Sequence, residues 1–168
     1  LSIAEWQPYA TVKTWILEEG QGNKTVYVQY RDKHGNESKS ASDNILLDSE
    51  APTNGKIVLN KGAKVATDID RKVWLNCQCD GKANNMRIGN TKDFRSSAAR
   101  WQGYKEGQNI GWQLLDPDGQ KTVYVQFRDT ANNVSEVYSS SIELDRKPPL
   151  KGSILANGKE HLTQVSGE

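Results

Sequence analysis

The chain has 168 residues, with 22 Lys and Arg against 21 Asp and Glu, so its formal net charge is +1. This balance provides no overall field that would draw the protein to nucleic acid or to an anionic membrane surface. Mean hydropathy is −0.76, and no run approaches the roughly 20 apolar residues that a membrane-spanning helix needs. The opening LSIAEWQPYA lacks the pattern of a signal peptide. With 5 Trp, 6 Tyr and 2 Phe, the composition favours a soluble, turn-rich β protein over a disordered chain.

The chain contains a long internal repeat. Residues 24–48 and 121–145 align without a gap at an offset of 97, and 14 of the 25 aligned positions are identical. Further matches at this offset are Trp15 with Trp112, Pro52 with Pro149, Gly55 with Gly152 and Ile57 with Ile154. Upstream, Trp6 and Tyr9 match Trp101 and Tyr104 at an offset of 95. A period near 97 residues is too long for solenoid units and predicts sandwich domains in tandem.

Alternation of apolar and polar residues with a period of two predicts short strands in both copies. The apolar faces of these strands are, in chain order, Val26, Val28 and Tyr30; Val73, Leu75, Cys77 and Cys79; Met86 and Ile88; and Val123, Val125 and Phe127. Two further short strands are predicted at Ile57–Leu59 and Ile142–Leu144. No long stretch shows the 3.6-residue stripe of an amphipathic helix, so we expect no long helix.

Turns and junctions divide the chain. Gly35 of the first copy is replaced by Asn132 in the second, which predicts a left-handed turn residue there, because these two residue types tolerate positive φ best. Prolines in the segments 48–53 and 145–150 predict short, stiff junctions. We therefore divide the chain into 1–48, the C-terminal half of one repeat; 51–146, a complete repeat; and 147–168, the first strand of a further repeat.

Three motifs of the repeat read W-x-P-Y-A-T-x-K-x-W, G-x-K-T-V-Y-V-Q-[YF]-R-D-x-x-G-N-x-S and I-x-L-D-x-x-A-P-T-x-G. In sequence and spacing the chain resembles the bacterial immunoglobulin-like tandem domains of large secreted and cell-surface proteins. The resemblance covers almost the whole chain and implies all-β, seven-stranded immunoglobulin-like β-sandwich repeats. It also implies a role as a spacer, adhesive stalk or appendage of extracellular enzymes. The second copy departs from the pattern at Asn132, at Arg146-Lys147, which replaces Ser49-Glu50, and at Leu150, which replaces Thr53.

The sequence holds no motif of a catalytic site. His34 aligns with Ala131, His161 lies near the C-terminal end, and the acidic residues are scattered through predicted turns. We therefore expect a non-enzymatic protein with no catalytic residues. Cys77 and Cys79 lie two residues apart on one face of a predicted strand and are expected to be small core hydrophobes. A strained disulfide, a link to another chain and a metal thiolate pair remain alternatives.

Four acidic residues are candidate ligands for calcium. In an immunoglobulin-like sandwich two loops and the incoming junction meet at one end, and these segments here contain Asp48, Glu50, Asp80 and Asp129. Converging carboxylate oxygens bind Ca²⁺ and would stiffen the array. The alternative is that these acids cap turns and keep the surface polar. We expect no cofactor apart from this candidate calcium ion.

Three aromatic residues, Trp74, Trp101 and Tyr104, are candidates for ligand or interface contacts. Parity directs Trp74 away from the face of its neighbours in the strand, where it would stack on a sugar or contact another chain. We nevertheless expect Trp74 to pack under the loop 91–100, because tryptophan is highly buried on average. Trp15 and Trp112 are expected to pack inward.

These observations predict a non-enzymatic structural and interaction protein located outside the cell or at the cell surface. Its repeats would act as a spacer, stalk or filament component in adhesion or display. The expected partners are neighbouring repeats of the same chain, other copies through strand donation, or cell-surface glycans. Nucleic acid and the membrane interior are not expected. The alternative is a carbohydrate-binding accessory region of a secreted hydrolase, which would use Trp74 or the face of Trp101 and Tyr104.

Overall fold

The computed structural model describes residues 4–96, 98–152, 154–156 and 159–161. Two compact units divide the chain, Leu1–Ala51 and Pro52–Glu168. Their boundary falls in the proline-containing junction 48–53, while the domain bounds proposed from the sequence, 1–48, 51–146 and 147–168, stay predictions. Across the described residues the only helix is a single 3₁₀ turn, which is too short to cross a membrane.

The first unit contains one antiparallel hairpin. Its strands are β1 (Gly22–Val28) and β2 (Ala41–Leu47). Gly22 pairs with Leu47 at one end and Val28 pairs with Ala41 at the other. Residues 4–21 precede the hairpin without forming a strand.

The second unit contains the remaining strands. They are β3 (Thr53–Leu59), β4 (Val65–Ala66), β5 (Lys72–Asp80), β6 (Ala83–Gly89), β7 (Gln102–Gly103), β8 (Asn109–Gln113), β9 (Gly119–Asp129), β10 (Tyr138–Leu144), β11 (Ile154–Ala156) and β12 (Lys159–His161). The 3₁₀ turn Asn60–Gly62 follows β3. Among the described residues of this unit, all strand pairings are antiparallel except that of β4 with β10.

Two sheets of the second unit enclose its core. One has the order β3-β5-β8 and the other β4-β10-β9-β6-β7, while β11 and β12 form a separate hairpin. The buried core residues of both sheets form one cluster. The prediction of an all-β fold is therefore confirmed for the described residues, and the arrangement is compatible with a β-sandwich.

The core follows the predicted alternation. Val73, Leu75 and Cys77 on β5 are at most 2% exposed. The predicted faces of β6 and β9 are buried in the same way. These faces meet because a strand places every second side chain on one side. Gly55 on β3 is required by close packing, since an added Cβ would lie 2.1 Å from the Tyr138 ring.

The hairpins β1–β2 and β9–β10 have the same register. Gly22 pairs with Leu47 as Gly119 pairs with Leu144, and the other pairs of β1 and β2 also recur 97 residues later. The predicted left-handed turn is confirmed in both copies, with φ of 91° and 69° at the two equivalent turn residues, Gly35 and Asn132.

The two hairpins differ in burial. Val125 and Ile142 in the second unit are at most 1% exposed, whereas their counterparts Val28 and Ile45 are 43% and 55% exposed. Trp112 packs against the core as predicted. The same prediction is wrong for Trp15, which is 55% exposed, because β1 and β2 have no opposing sheet within the described part of their unit.

Matched substitutions at one repeat position test this difference. We expect Ile142→Ala to lower the free energy of unfolding of the second unit by about 2–5 kcal/mol, as truncation of a buried isoleucine does. Ile45→Ala removes the same atoms from an exposed site and should cost less than about 1 kcal/mol. Urea unfolding followed by far-ultraviolet circular dichroism measures both, and equal losses would contradict the assignment of the core.

Candidate interaction surfaces

An exposed tryptophan lies on the outer face of the three-stranded sheet. Trp74 on β5 is 61% exposed, and its ring lies over Gly111 of β8, where an added Cβ would be 3.7 Å from Cζ3. The backbone N–H of Trp74 donates to Asn60 Oδ1 at 2.8 Å. Because glycine has no side chain, one edge of the indole rests on the sheet while much of the ring stays open to solvent.

Polar side chains surround this tryptophan. The groove has a volume of about 470 Å³ and is lined by Val58, Asn60, Lys61, Trp74, Asn76 and Asn109. We call this set of residues the Trp74 groove. An aromatic plane flanked by amides offers stacking together with hydrogen-bond donors and acceptors, which is the chemistry that hydroxyl-rich ligands such as sugars require.

The expectation that the loop 91–100 covers Trp74 is wrong. The buried aromatic residue of that loop is Phe94, which is 7% exposed. Its ring lies 4.4 Å from the guanidinium of Arg87, and it also closes over Gly89 at the end of β6. The loop therefore packs on β6 of the five-stranded sheet, whereas Trp74 lies on the three-stranded sheet.

Trp101 and Tyr104 are placed apart from the groove. Trp101 is half-buried, and its ring centroid lies 4.9 Å from the guanidinium of Arg87 and 4.5 Å from that of Arg128. Tyr104 packs edge-on against Phe127 with ring centroids 5.1 Å apart. Burial and the neighbouring Cys79 raise the pKa of Tyr104 to about 12. Both aromatic residues are half-buried, and their role in ligand or interface contacts stays a prediction.

The four calcium candidates are divided between the two units, and the carboxylates of three of them accept hydrogen bonds. Asp48 Oδ1 accepts from the backbone N–H of Glu50 at 3.2 Å. Asp80 Oδ2 accepts from the Asn54 amide at 2.8 Å. Asp129 accepts from the backbone and side-chain N–H groups of Asn133. Among the described residues no group of three or more His, Cys, Asp or Glu is arranged to hold a metal ion, and calcium binding stays a prediction.

Both cysteines are free thiols. Cys77 is buried in the core, and Cys79 is half-buried at the end of the same face. Burial raises the pKa of Cys77 to about 12, and burial also raises the pKa of Cys79. Because the thiolate is the reactive and metal-binding form, a raised pKa keeps both side chains in the unreactive thiol form. This agrees with the expectation that they are small core residues.

Each junction is tied by paired hydrogen bonds to the residue that immediately precedes the first strand of the hairpin. In the first unit, Ser49 N–H donates to Gln21 Oε1 at 3.0 Å, and Gln21 Nε2 donates to Ser49 Oγ at 2.6 Å. The equivalent residues 97 positions later are Asp118 and Arg146. There Arg146 donates to Asp118 from its backbone N–H at 3.2 Å and from Nε at 2.6 Å. We call each pair a junction clamp.

Further charges support the second junction clamp. Arg146 Nη2 also donates to Asp116 Oδ1 at 2.7 Å, and Arg71 forms an ion pair with the same carboxylate. The sequence analysis did not predict this cluster. The repeat alignment nevertheless contains a signal for it, because it places Gln21 opposite Asp118 and Ser49 opposite Arg146. In both Gln21–Ser49 and Asp118–Arg146, one residue can donate a hydrogen bond that the other accepts.

Comparisons with known proteins add no family assignment. No family model matches the sequence, and none of the curated proteins is significantly similar to it. Functional inference therefore rests on the repeat and on the surfaces described above.

We expect the second clamp to make the free energy of unfolding depend on pH. Hydrogen bonds from Arg146 hold the pKa of Asp118 below its ordinary value, so the clamp is complete above about pH 4 and is lost as pH falls through the lowered pKa. We expect Asp118→Asn to flatten the fall in unfolding free energy below about pH 4 relative to the wild type. Arg146→Gln should do the same. The free energy of unfolding of all three proteins is measured in urea at each pH. An equal fall with decreasing pH in all three would contradict this role.

Proposed function

We propose that the chain is a non-enzymatic, extracellular or cell-surface structural module built of immunoglobulin-like β-sandwich repeats in tandem. Its work is mechanical, as a spacer, stalk or filament component. The observation that carries this proposal is the recurrence of the same hairpin, turn and junction contacts at an interval of 97 residues.

The repeated turn supports this proposal at the level of single hydrogen bonds. Asp32 Oδ1 accepts from the backbone N–H of Asn36 at 2.9 Å, and Asp129 accepts from Asn133 at the same distance. The side-chain amides donate to the other carboxylate oxygen at 2.8 and 2.9 Å. These side-chain bonds supplement the backbone hydrogen bonds of each turn. Their recurrence is expected of units built to one plan.

The repeated junction clamps also support a mechanical role. A clamp limits rotation of the chain where it leaves the hairpin, because it immobilises both the backbone and the side chain of one junction residue. The proline residues that follow fix φ. A junction held in this way transmits tension along the chain instead of absorbing it as a flexible tether would.

The parallel pairing of β4 with β10 resists tension. Glu143 N–H donates to Lys64 O at 3.0 Å, and Asp145 N–H donates to Ala66 O at 3.0 Å. Tension entering along β3 reaches β4 at its N-terminal end and leaves β10 at its C-terminal end. Since these strands run in the same direction, the two forces are opposed and shear the hydrogen bonds together instead of opening them one at a time.

Single-molecule pulling through the chain ends tests the mechanical role. We expect one distinct unfolding event that releases about 300 Å of chain, the extended length of residues 53–144. Glu143→Pro removes a donor to β4 and should lower the unfolding force. The control is Ser141→Pro, which lies in the same strand outside the β4 pairing. Extension without a force peak, or equal forces for both proline variants with folded circular dichroism spectra, would contradict the proposal.

Carbohydrate binding is a second candidate function, favoured by the Trp74 groove. The exposed indole and the neighbouring amides present a shallow surface suited to stacking on a sugar ring. In this alternative the unit is an accessory region that holds a secreted hydrolase on its substrate.

A broad glycan array tests this second candidate. We expect binding by the wild type to disappear in Trp74→Ala, with a loss of about 1–3 kcal/mol in binding free energy for a removed stacking contact. Trp15→Ala is the matched control, because Trp15 is similarly exposed at 55% but lies in the other unit. Absence of binding by the wild type, or an equal loss in both variants, would contradict carbohydrate recognition at Trp74.

A further inference from the structure

We propose that the Trp74 groove takes an acidic saccharide, one whose ring carries a carboxylate or a sulfate ester, and that Lys61 selects for that charge. This inference deepens carbohydrate binding, the second candidate function proposed above, and rests on it. The indole of Trp74 stacks on the apolar face of the sugar ring, while the Lys61 ammonium pairs with the acidic group.

The charge that lines the groove has one sign. Among the described residues, Lys61 is the one charged side chain in the lining, and the others are Val58, Trp74 and three asparagines. Lys61 is exposed and forms no ion pair with another described residue. Because no carboxylate of the groove neutralises this ammonium, its attraction remains available for an external anion.

The backbone keeps Lys61 in the groove. The 3₁₀ turn directly follows β3, and its residues Asn60 and Lys61 have φ of 43° and 57°. The Asn60 side chain ties this turn to the strand that carries the indole, because its Oδ1 accepts from the backbone N–H of Trp74 at 2.8 Å. Positive φ is uncommon outside glycine, and residues held in that region concentrate at binding sites. The turn thus places the ammonium and the aromatic ring in one groove.

Two side-chain amides in the groove are available to sugar hydroxyls. Asn76 of β5 pairs with Asn109 of β8 in the sheet, and both residues line the groove. Neither side chain forms a hydrogen bond with another described residue. Each amide offers two donors and an acceptor, which suits hydroxyl groups that both donate and accept. A purely apolar partner would instead leave these amides unpaired at a cost in free energy.

The rest of this sheet face favours an anion as well. Lys56 of β3 and Lys72 of β5 are exposed at outward positions. Asp80, the carboxylate at an outward position of β5, lies six residues from Trp74, or about 20 Å along the strand. Asp68, in the turn before β5, accepts two backbone N–H groups through its Oδ1. An acidic sugar on Trp74 therefore meets lysines on this face and no carboxylate in the groove.

A glycan array tests this inference when each neutral oligosaccharide is printed beside its carboxylated and sulfated derivatives. We expect the wild type to bind at least one acidic form about threefold or more tighter than the neutral parent at about 50 mM salt, which is the range for an exposed ion pair. The difference should vanish at about 1 M salt because of screening. Which derivative is preferred distinguishes a carboxylate from a sulfate ester.

Variants of one lysine make the result specific. Lys61→Gln should abolish the preference for the acidic form and leave the affinity for the neutral parent unchanged. Lys61→Arg should retain the preference, and Lys61→Glu should reverse it. Lys92→Gln is the matched control, because Lys92 is also exposed but lies in the loop 91–100 on the other sheet. This control should bind as the wild type does.

Three outcomes would overturn the proposal. They are equal binding of neutral and acidic forms by the wild type, a preference that survives Lys61→Gln, and tighter binding of a hexaglutamate peptide than of any acidic glycan. Equal binding that is lost in Trp74→Ala would leave carbohydrate recognition itself standing, whereas absence of binding to every glycan would overturn both. Failure of this inference is therefore distinguishable from failure of the candidate function on which it rests.

Discussion

The organisation of this protein depends on one constraint: each sheet is apolar on one face and needs a second sheet to cover it. Alternation in β5 and β9 directs Leu75 and Phe127 to the same interior, and burial of such side chains is the dominant favourable term in folding. The second unit satisfies this constraint within its own residues. The hairpin of the first unit has the same alternation, and its apolar face stays exposed in the structure.

Repetition of sequence has different consequences for local and non-local structure. The turns recur because their bonds join residues a few positions apart, as Asp32 with Asn36 and Asp129 with Asn133. Residues 12–16 and 109–113 are also equivalent, yet only the second segment forms a strand. A strand is stabilised by a neighbouring strand, and β8 depends on β5 for its ladder. Propensity alone therefore does not decide the state of such a segment.

The candidate surfaces were only partly predictable for the same reason. Parity placed Trp74 on the outward face of its strand, and the structure has it there. The prediction that the loop 91–100 covers Trp74 was wrong, because the path of this loop depends on packing that periodicity does not encode. Phe94 takes the buried position over Gly89 instead. The junction clamp at Asp118 and Arg146 was missed because it joins residues 28 positions apart.

By itself, the sequence determined the strands β3, β5, β6, β9 and β10 of the second unit, the inward faces of β5, β6 and β9, the left-handed turns and the equivalence of the two hairpins. These features depend on period-two alternation and on turn chemistry, which act over a few residues. Only the tertiary structure decided which faces are covered, that Trp15 is exposed while Trp112 is packed, and that Trp74 lines an open groove. Those outcomes require surfaces from distant parts of the chain to meet, and the same local sequence adopts either state according to whether its partner strands are present.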